Sequence, residues 1–418
     1  MNLLIKSATV TDSASSFNNK VADILIKDGI IQQIAADIDG EDIEIFDAKG
    51  CHIAPGLFDL NCNIGELGLE TKEDLETGTA AAAAGGFTGI ALMPNTQPPV
   101  HSKAEVEYLL NRAKNNLVDI YPLGTISHKR EGKDMAEMYD MYKSGARAFT
   151  DGNRPVQDAG LMERAMLYVQ NFGAKVISYP EDISIAGKAK MNEGVVSTML
   201  GMKGIPALAE ELMIARDLYL AEDTGAPIHF TTISTAHAVE LIREAKRKGV
   251  NVTCDVALHN LILTDEALMD FDSHYKVKPP LRTQNDVDAL IAGIKDGTID
   301  AIVTQHTPHE VEFKAVEFEV AEYGMIGFQT ALPVALSVGL SPELIIEKMS
   351  VNPRRILTAD TAAIEHGAKA NLIIFDTQAS WEYNKQNNRS KSYNSPFLGQ
   401  NLKGKVLLSI NNNKIAKF

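Results

Sequence analysis

The chain has 418 residues, of which 45% are hydrophobic and 23% charged, a composition typical of a globular protein with an extensive core. Lys and Arg number 40 against 55 Asp and Glu, so the formal net charge is −15. This acidic balance argues against binding to nucleic acid or to anionic membranes, since both select a basic surface. Three cysteines without a C-x-x-C pair fit a reducing compartment, and no leader or membrane-spanning stretch is visible. We therefore expect a cytoplasmic protein.

Both ends of the chain carry β-strand patterns. Apolar runs at 21–27 and 30–34 flank Asp28-Gly29, a dipeptide typical of a two-residue hairpin turn. Near the other end, apolar runs at 371–375 and 406–410 predict two more strands, the second turning at three consecutive asparagines. The similar ends predict one small β domain built from residues 1–54 and 365–418.

The middle of the chain, residues 55–364, alternates between apolar runs and helical stretches. Eight apolar runs begin near residues 56, 86, 119, 146, 174, 227, 251 and 299. Helices are predicted between them, among others at 70–84, 156–170, 207–223 and 236–248. Eight such alternations predict an α/β fold, a (β/α)8 TIM barrel, rather than an open sheet. The polar stretch 386–395 is predicted to be a surface loop.

Barrel enzymes carry their chemistry at the C-terminal ends of the strands. In this chain those ends are rich in amides and hydroxyls, whereas zinc prefers imidazole, thiolate and carboxylate ligands. The side chains at these ends that suit zinc are Asp151, His259, His306 and His309, with Cys62 and Glu181 as weaker candidates. Ordinary roles in loops or in the core remain open for the three histidines. No nucleophile elbow, phosphate-binding loop or dinucleotide-binding motif is present.

Several segments occur in a familiar order. APGLFDL at 54–60, the glycine-rich stretch 76–88 and MPNT at 93–96 resemble the opening of the barrel in dihydroorotases. Further segments continue the resemblance in the same order: ISTA at 233–236, KPPLR at 278–282, DGTID at 296–300 and NSPF at 394–397. The chain thus resembles the dihydroorotase branch of the amidohydrolase superfamily over almost its whole length. That resemblance implies a TIM barrel with a small terminal β-sandwich.

The resemblance also implies metal-assisted hydrolysis of a cyclic amide, in which bound metal activates a water and an Asp moves the proton. This sequence departs from the family pattern at five of six metal-site positions. The family's His-x-His falls on Asn61 and Asn63, its next two histidines fall on Tyr179 and Thr232, and its catalytic Asp falls on Gln305. The family's other Asp is kept as Asp151. The zinc expected for the family is therefore predicted to be absent.

The substrate-binding pattern of the family is partly kept. Asn95 and His309 match residues that contact the substrate carboxylate, whereas the family's carboxylate-binding Arg falls on Gly65. Lys278 replaces an Asn before the Pro-Pro pair and adds a positive charge. These residues predict a site for a small carboxylate at Asn95, Lys278 and His309. It is equally open that Asn95 and His309 only hold their own loops.

The leading hypothesis is a catalytically inactive, metal-free relative of dihydroorotase that acts by protein interaction or by binding a small anion. The alternative is an active dihydroorotase or related cyclic amidohydrolase with a non-standard metal site, for example Asp151, His259, His306 and His309. By family analogy a homodimer is expected, and an active dihydroorotase or aspartate carbamoyltransferase is a plausible partner.

Overall fold

The computed structural model describes residues 1–40 and 43–418. Eight parallel strands form the barrel, and each begins within two residues of its predicted start. In chain order the barrel strands are Leu57–Cys62, Phe87–Leu92, Asp119–Pro122, Ala148–Phe149, Lys175–Ser178, Ile228–Phe230, Val252–Ala257 and Ala301–Val303. We refer to them as barrel strands one to eight. Their residues are almost all buried, as expected for strands covered on both faces.

Parallel pairing closes the barrel. Strands one to three form one hydrogen-bonded group and strands four to eight form a second. Single β-bridges join the groups, one between Gly124 and Phe149 and one between Cys62 and His306. Apolar side chains from successive strands fill the interior, so the barrel is a packed core. The C-terminal ends of all eight strands consequently meet at one rim.

Helices cover the outside of the barrel. The α-helices are Leu75–Ala84, Lys103–Arg112, Met138–Lys143, Ala159–Gln170, Ile183–Ala186, Val195–Met199, Leu208–Thr224, Ala236–Arg247, Gln284–Lys295, Val311–Lys314, Ala331–Ser337, Pro342–Ile346 and Asn352–Leu357. Short 3₁₀ helices span His128–Arg130, Leu258–Leu261, Asp265–Leu268 and Ser273–Tyr275, and a π-helical turn spans Glu347–Val351. Two further short strands, Met191–Asn192 and Gly204–Ile205, pair beside the rim.

Two predicted helices begin later than their apolar pattern suggested, and the reason is capping. Asp74 caps the helix predicted at 70–84, since its carboxylate accepts from Thr77 N at 2.9 Å. Asp158 likewise caps the helix predicted at 156–170. An Asp at this position satisfies a backbone N–H that the helix leaves free, so each helix starts directly after it.

The two ends of the chain form the small β-sandwich. Its strands are Leu3–Val10, Val21–Lys27, Ile30–Ala35, Ile45–Asp47, His52–Pro55, Leu372–Glu382, Asn401–Asn411 and Lys414–Lys417. The predicted hairpin is present, with Asp28 and Gly29 at φ of 51° and 75° in its turn. Leu372–Glu382 pairs with both His52–Pro55 and Asn401–Asn411, so it joins the two ends of the chain.

The stretch 386–395 is a loop with exposed residues such as Gln386 and Arg389, as predicted, but part of it is buried. Ser390 and Ser392 are buried, and the loop packs over the buried carboxylate of Glu73. Ser390 Oγ donates to that carboxylate at 2.6 Å and Lys391 N donates at 3.0 Å. Polar groups of the loop therefore donate hydrogen bonds to a buried charge.

Among the described residues, no helix is both long and apolar enough to cross a membrane.

Candidate functional site

A cavity of about 200 Å³ opens at the C-terminal rim of the barrel. Eight of the residues singled out from the sequence line it: Asn61, Asn63, Gly65, Asn95, Tyr179, Lys278, Gln305 and His309. Asp151 and Thr232 lie next to it, since their neighbours Gly152 and Thr231 contribute to the lining. The sequence analysis did not identify two further lining residues. Lys72 adds a positive charge, and the ring of Tyr323 lies beside the ammonium of Lys278. The cavity occupies the place where barrel enzymes carry their active sites.

Two asparagines, Asn61 and Asn63, lie at the C-terminal end of the first barrel strand, and both amides donate hydrogen bonds to residues that follow other strands. Asn61 Nδ2 donates to Thr231 Oγ1 at 2.9 Å. Asn63 Nδ2 donates to Thr307 Oγ1 at 3.0 Å, while Asn63 Oδ1 accepts from Asn95 Nδ2 at 2.7 Å. An amide can donate and accept at once, as these residues do, whereas a zinc ligand must present a free lone pair. The asparagines therefore link the C-terminal ends of different barrel strands by hydrogen bonds.

Asp151 is the one family metal position that keeps its carboxylate, and that carboxylate is already used. Oδ1 accepts from the backbone N of Ile126 at 2.9 Å and of Ser127 at 3.0 Å, and Oδ2 accepts from the Ser127 hydroxyl. Burial raises the pKa of Asp151 above its ordinary value, and these donors counteract that rise. The side chain thus holds the segment that follows the third barrel strand.

The remaining altered positions present neutral groups. Gln305 donates from Nε2 to Lys278 O at 2.9 Å and to Thr232 Oγ1 at 3.2 Å. Tyr179 is buried, and burial raises the pKa of its phenol well above the ordinary value, so it stays protonated. Together these residues offer the cavity hydrogen bonds rather than metal-binding lone pairs.

Lys278 carries its positive charge into the cavity, but a carboxylate accompanies it. Its ammonium lies 2.7 Å from Glu181 Oε1, and the Glu181 side chain is only 6% exposed. The ammonium also lies 5.6 Å from the centre of the Tyr323 ring. Glu181 therefore compensates much of the charge that the sequence assigned to anion binding, and it fixes where the ammonium points.

Lys72 supplies a second ammonium to the lining of the cavity. Its Nζ lies 3.4 Å from His309 Nδ1, and His309 Nε2 donates to Tyr323 O at 2.9 Å. Burial lowers the pKa of His309 to about 4, so this imidazole is neutral at pH 7 and accepts from Lys72. None of the ion pairs formed within residues 1–40 and 43–418 involves Lys72. Its ammonium is consequently held in no ion pair there, although Glu310 is close enough to interact with it electrostatically.

The histidines of the alternative metal site lie in separate environments. His306 is buried, its Nε2 lies 2.6 Å from Glu73 Oε2, and its Nδ1 accepts from Gly327 N at 3.2 Å. His259 is also buried, its Nε2 has no partner in the described structure, and burial lowers its pKa to about 3. Within the part of the chain that the structure describes, no three His, Cys, Asp or Glu side chains converge on a possible metal position.

Cys62 and Gly65 lie on either side of Asn63 in the sequence, and of the two only Gly65 lines the cavity. Cys62 is buried and its Sγ donates to Ala91 O, and burial raises the pKa of the thiol well above its ordinary value. It is therefore a core residue rather than a nucleophile. Gly65 occupies the family's Arg position, and a Cβ there would lie 1.9 Å from the carbonyl oxygen of Leu69. The backbone of this loop leaves no room for any side chain at position 65.

Comparison with known proteins agrees with this architecture. The family model described as "Dihydro-orotase-like" matches residues 50–238. A protein of Acetivibrio thermocellus named "Dihydroorotase" is 45% identical over 420 residues, covering 99% of this chain and 98% of that protein. The chain belongs to the dihydroorotase family. A second "Dihydroorotase", from Ruminiclostridium cellulolyticum, is 45% identical, covering 98% of this chain and 97% of that protein.

Solved structures support the fold of this dihydroorotase-family chain. The L-hydantoinase (dihydropyrimidinase) of Arthrobacter aurescens superposes with a TM-score of 0.86 at 24% identity, covering 99% of this chain and 95% of that one. At that identity the likeness concerns the fold alone. It confirms the predicted TIM barrel with a small β-sandwich.

Proposed function

We propose that this dihydroorotase-family protein has lost metal-dependent hydrolysis and binds a small anion in the cavity at the barrel rim. One observation carries the proposal: at the family's metal positions, Asn61, Asn63 and Gln305 donate hydrogen bonds to neighbouring residues of the rim, and two lysines line the same cavity. These residues do not fit zinc, because amides, a phenol and a hydroxyl replace imidazoles and a carboxylate. The remaining carboxylate, Asp151, is engaged by three donors.

The same residues lack a substitute for the metal. Without a metal, a water molecule keeps its pKa of about 15.7 instead of about 7, and attack on an amide carbonyl then needs a strong base. Two base candidates near the cavity are neutral or paired, and a third, Glu322, lines it with an exposed carboxylate, which is a weak base. His309 accepts from Lys72, and Glu181 is paired with Lys278. The site is thus suited to binding and not to activating water.

Binding of a small carboxylate rests on charge and on the shape of the cavity. Lys72 and Lys278 both line the cavity together with the polar side chains of Asn63 and Gln305, and Glu322 adds one negative charge to the same lining. Because Glu181 compensates Lys278, Lys72 contributes the larger share of attraction for an anion. Binding of an active dihydroorotase or of aspartate carbamoyltransferase remains a separate prediction from family resemblance.

The test of inactivity combines elemental analysis with a dihydroorotase assay on the same preparation, with and without added zinc. We expect no stoichiometric metal and no turnover in either condition. The Acetivibrio thermocellus relative, prepared in parallel, is the positive control for the assay. Stoichiometric metal together with turnover would overturn the proposal and favour an active enzyme with a non-standard site.

The test of anion binding is a thermal shift with dihydroorotate as the probe. At about 100 times its Kd, a ligand adds about 2.7 kcal/mol, and for a chain of this length that raises Tm by about 3 °C. Lys72→Met should abolish the shift, and Lys278→Met should reduce it. Lys103→Met, at an exposed helix position away from the cavity, is the matched control and should leave it unchanged. Equal shifts in all variants would contradict the role of Lys72.

A further inference from the structure

Three oxygen atoms at the rim cavity have no hydrogen-bond partner among residues 1–40 and 43–418. They are Asn61 Oδ1, Gln305 Oε1 and the hydroxyl oxygen of Tyr179, and we call them the oxygen triad. All three residues line the cavity, and Asn61 and Tyr179 are only 5% and 7% exposed. Polar groups that are buried to this extent nearly always have a partner in folded proteins. A ligand in the cavity can supply the missing donors.

The orientation of the Gln305 amide is set by the group that its nitrogen contacts. Nε2 donates to Lys278 O at 2.9 Å, and a backbone carbonyl can only accept. The other end of the amide is therefore the oxygen. Because the NH2 group is engaged within the protein, the oxygen is the part of Gln305 that is left for a ligand of the cavity.

The members of the oxygen triad lie on neighbouring strand ends. Asn61 Nδ2 donates to Thr231 Oγ1 at 2.9 Å. Gln305 Nε2 donates to the hydroxyl of the next residue, Thr232, at 3.2 Å. Thr231 N also donates at 2.9 Å to the carbonyl oxygen of the residue that precedes Tyr179. The ends of barrel strands one, five, six and eight therefore meet at the triad.

Acidic side chains surround this part of the cavity. Burial raises the pKa of the phenol in the triad, and the charges of Glu181 and Glu210 raise it further. Glu181 lies 2.7 Å from Lys278, and Glu210 lies 3.5 Å from Arg282. Glu322 also lines the cavity, and no ion pair within the described residues involves it. The surroundings of the triad therefore favour a positively charged donor over a neutral one.

We propose that the ligand of the rim cavity is a neutral α-amino acid, whose ammonium binds the oxygen triad and whose carboxylate binds Lys72. This inference rests on the proposed function and names the class of the anion. An ammonium has three N–H donors, one for each oxygen of the triad. A carboxylic acid without an amino group would leave all three oxygens unpaired. Three neutral oxygens are also too few for calcium, which takes about six to eight oxygen ligands.

One carboxylate is expected on the ligand because the charges of the two lysines in the lining are used differently. Glu181 compensates Lys278, whereas Lys72 contacts only the neutral imidazole of His309 at 3.4 Å. The cavity of about 200 Å³ also limits the ligand to a small molecule. An amino acid with an uncharged side chain meets both conditions.

The experiment compares acids that differ only in the amino group. Isothermal titration calorimetry of the full chain at pH 7.5 measures the Kd of L-alanine against propionate and of L-asparagine against succinamate. We expect the amino acid of at least one pair to bind at least about tenfold more tightly, since a hydrogen bond to a charged group contributes about that factor or more. Dihydroorotate is titrated in parallel as the anion probe of the proposed function.

Tyr179→Phe removes one oxygen of the triad and no hydrogen bond within the described structure. It should weaken binding of the amino acid about tenfold and leave binding of the matching acid unchanged. Asn61→Leu should do the same, whereas Lys72→Met should weaken both members of a pair. Tyr219→Phe, at a side chain that is 74% exposed and outside the cavity, is the matched control and should change neither. Circular dichroism checks that each variant is folded.

The outcomes separate this inference from the proposed function. Equal affinity within both pairs, or tighter binding of the acids without an amino group, would overturn the amino acid as ligand and leave anion binding supported. Binding of dihydroorotate alone would have the same meaning. An amino acid preference that survives Tyr179→Phe and Asn61→Leu would overturn the role of the triad. No binding of any probe, dihydroorotate included, would overturn both proposals.

Discussion

Replacing Glu73 tests whether His306 has a structural role through its contact with Glu73 or is free to act as a metal ligand. The Glu73 side chain is fully buried and accepts from His306 Nε2, Ser390 Oγ and Lys391 N. Glu73→Gln preserves the volume but removes the charge and turns one acceptor oxygen into an NH2 group. Two bonds weaken by about 1 kcal/mol each, and one buried donor is left facing another donor at about 1–3 kcal/mol. The total is about 3–5 kcal/mol.

This loss converts into a measurable shift of melting temperature. With about 2.1 cal/mol/K of unfolding entropy per residue, 418 residues give about 0.9 kcal/mol/K, so Tm should fall by about 3–6 °C. The measurement is differential scanning calorimetry at pH 7.5. Glu76→Gln, on the exposed side of the neighbouring helix, is the matched control and should shift Tm by less than about 1 °C. If Glu73→Gln lowers Tm no more than this control does, Glu73 does not hold His306 in place. His306 is then again a candidate ligand of the alternative metal site.

Two further predictions concern the rim. The folded-state pKa of His259, about 3, lies below the ordinary value of 6.5, so the unfolded chain takes up the proton first and stability falls as pH drops from 6.5. Denaturation between pH 7.5 and 4.5 should show a loss that approaches about 1.4 kcal/mol per pH unit below pH 6.5 and that His259→Gln removes, and equal slopes would refute the assignment. Gly65→Ala should destabilise by at least about 1–3 kcal/mol, because its Cβ would meet the Leu69 carbonyl. Gly160→Ala, in the first turn of a helix, is its control and should be close to neutral; a similar cost for both would refute the argument.

The barrel could be predicted from sequence because its strands are covered on both faces. Each therefore appears as a short, nearly continuous apolar run, and eight runs identify the architecture without any knowledge of side-chain contacts. The starts of the helices were predicted less accurately. The pattern at 70–84 begins before Asp74, the residue that caps the helix, so it extends further toward the N-terminus than the helix itself. Asp74 decides that boundary, and its effect depends on a single hydrogen bond to Thr77 N.

Only some of the residues that line the cavity could be predicted, because only those at strand ends have a local signal in the sequence. Residues directly after barrel strands, such as Asn61 and Gln305, could be placed at the rim because the topology brings all strand ends together. Lys72 falls inside the helix predicted at 70–84, whereas the helix begins only at Leu75, so the prediction gave no reason to place Lys72 at the cavity. The pairing of Lys278 with Glu181 joins residues 97 positions apart, and no local signal indicates that one charge compensates the other.

The hydrogen bonds at the rim also bear on whether the chain could regain a metal site by single substitutions. Asn63 Nδ2 donates to Thr307, and Asn63 Oδ1 accepts from Asn95. A histidine at position 63 would remove both bonds, at about 0.5–1.5 kcal/mol each, while adding one of the several ligands that zinc requires. The same argument applies to Gln305, which links Lys278 and Thr232. Each single reversion would therefore lower stability before any metal binds, because the substituted amides now hold the strand ends in place.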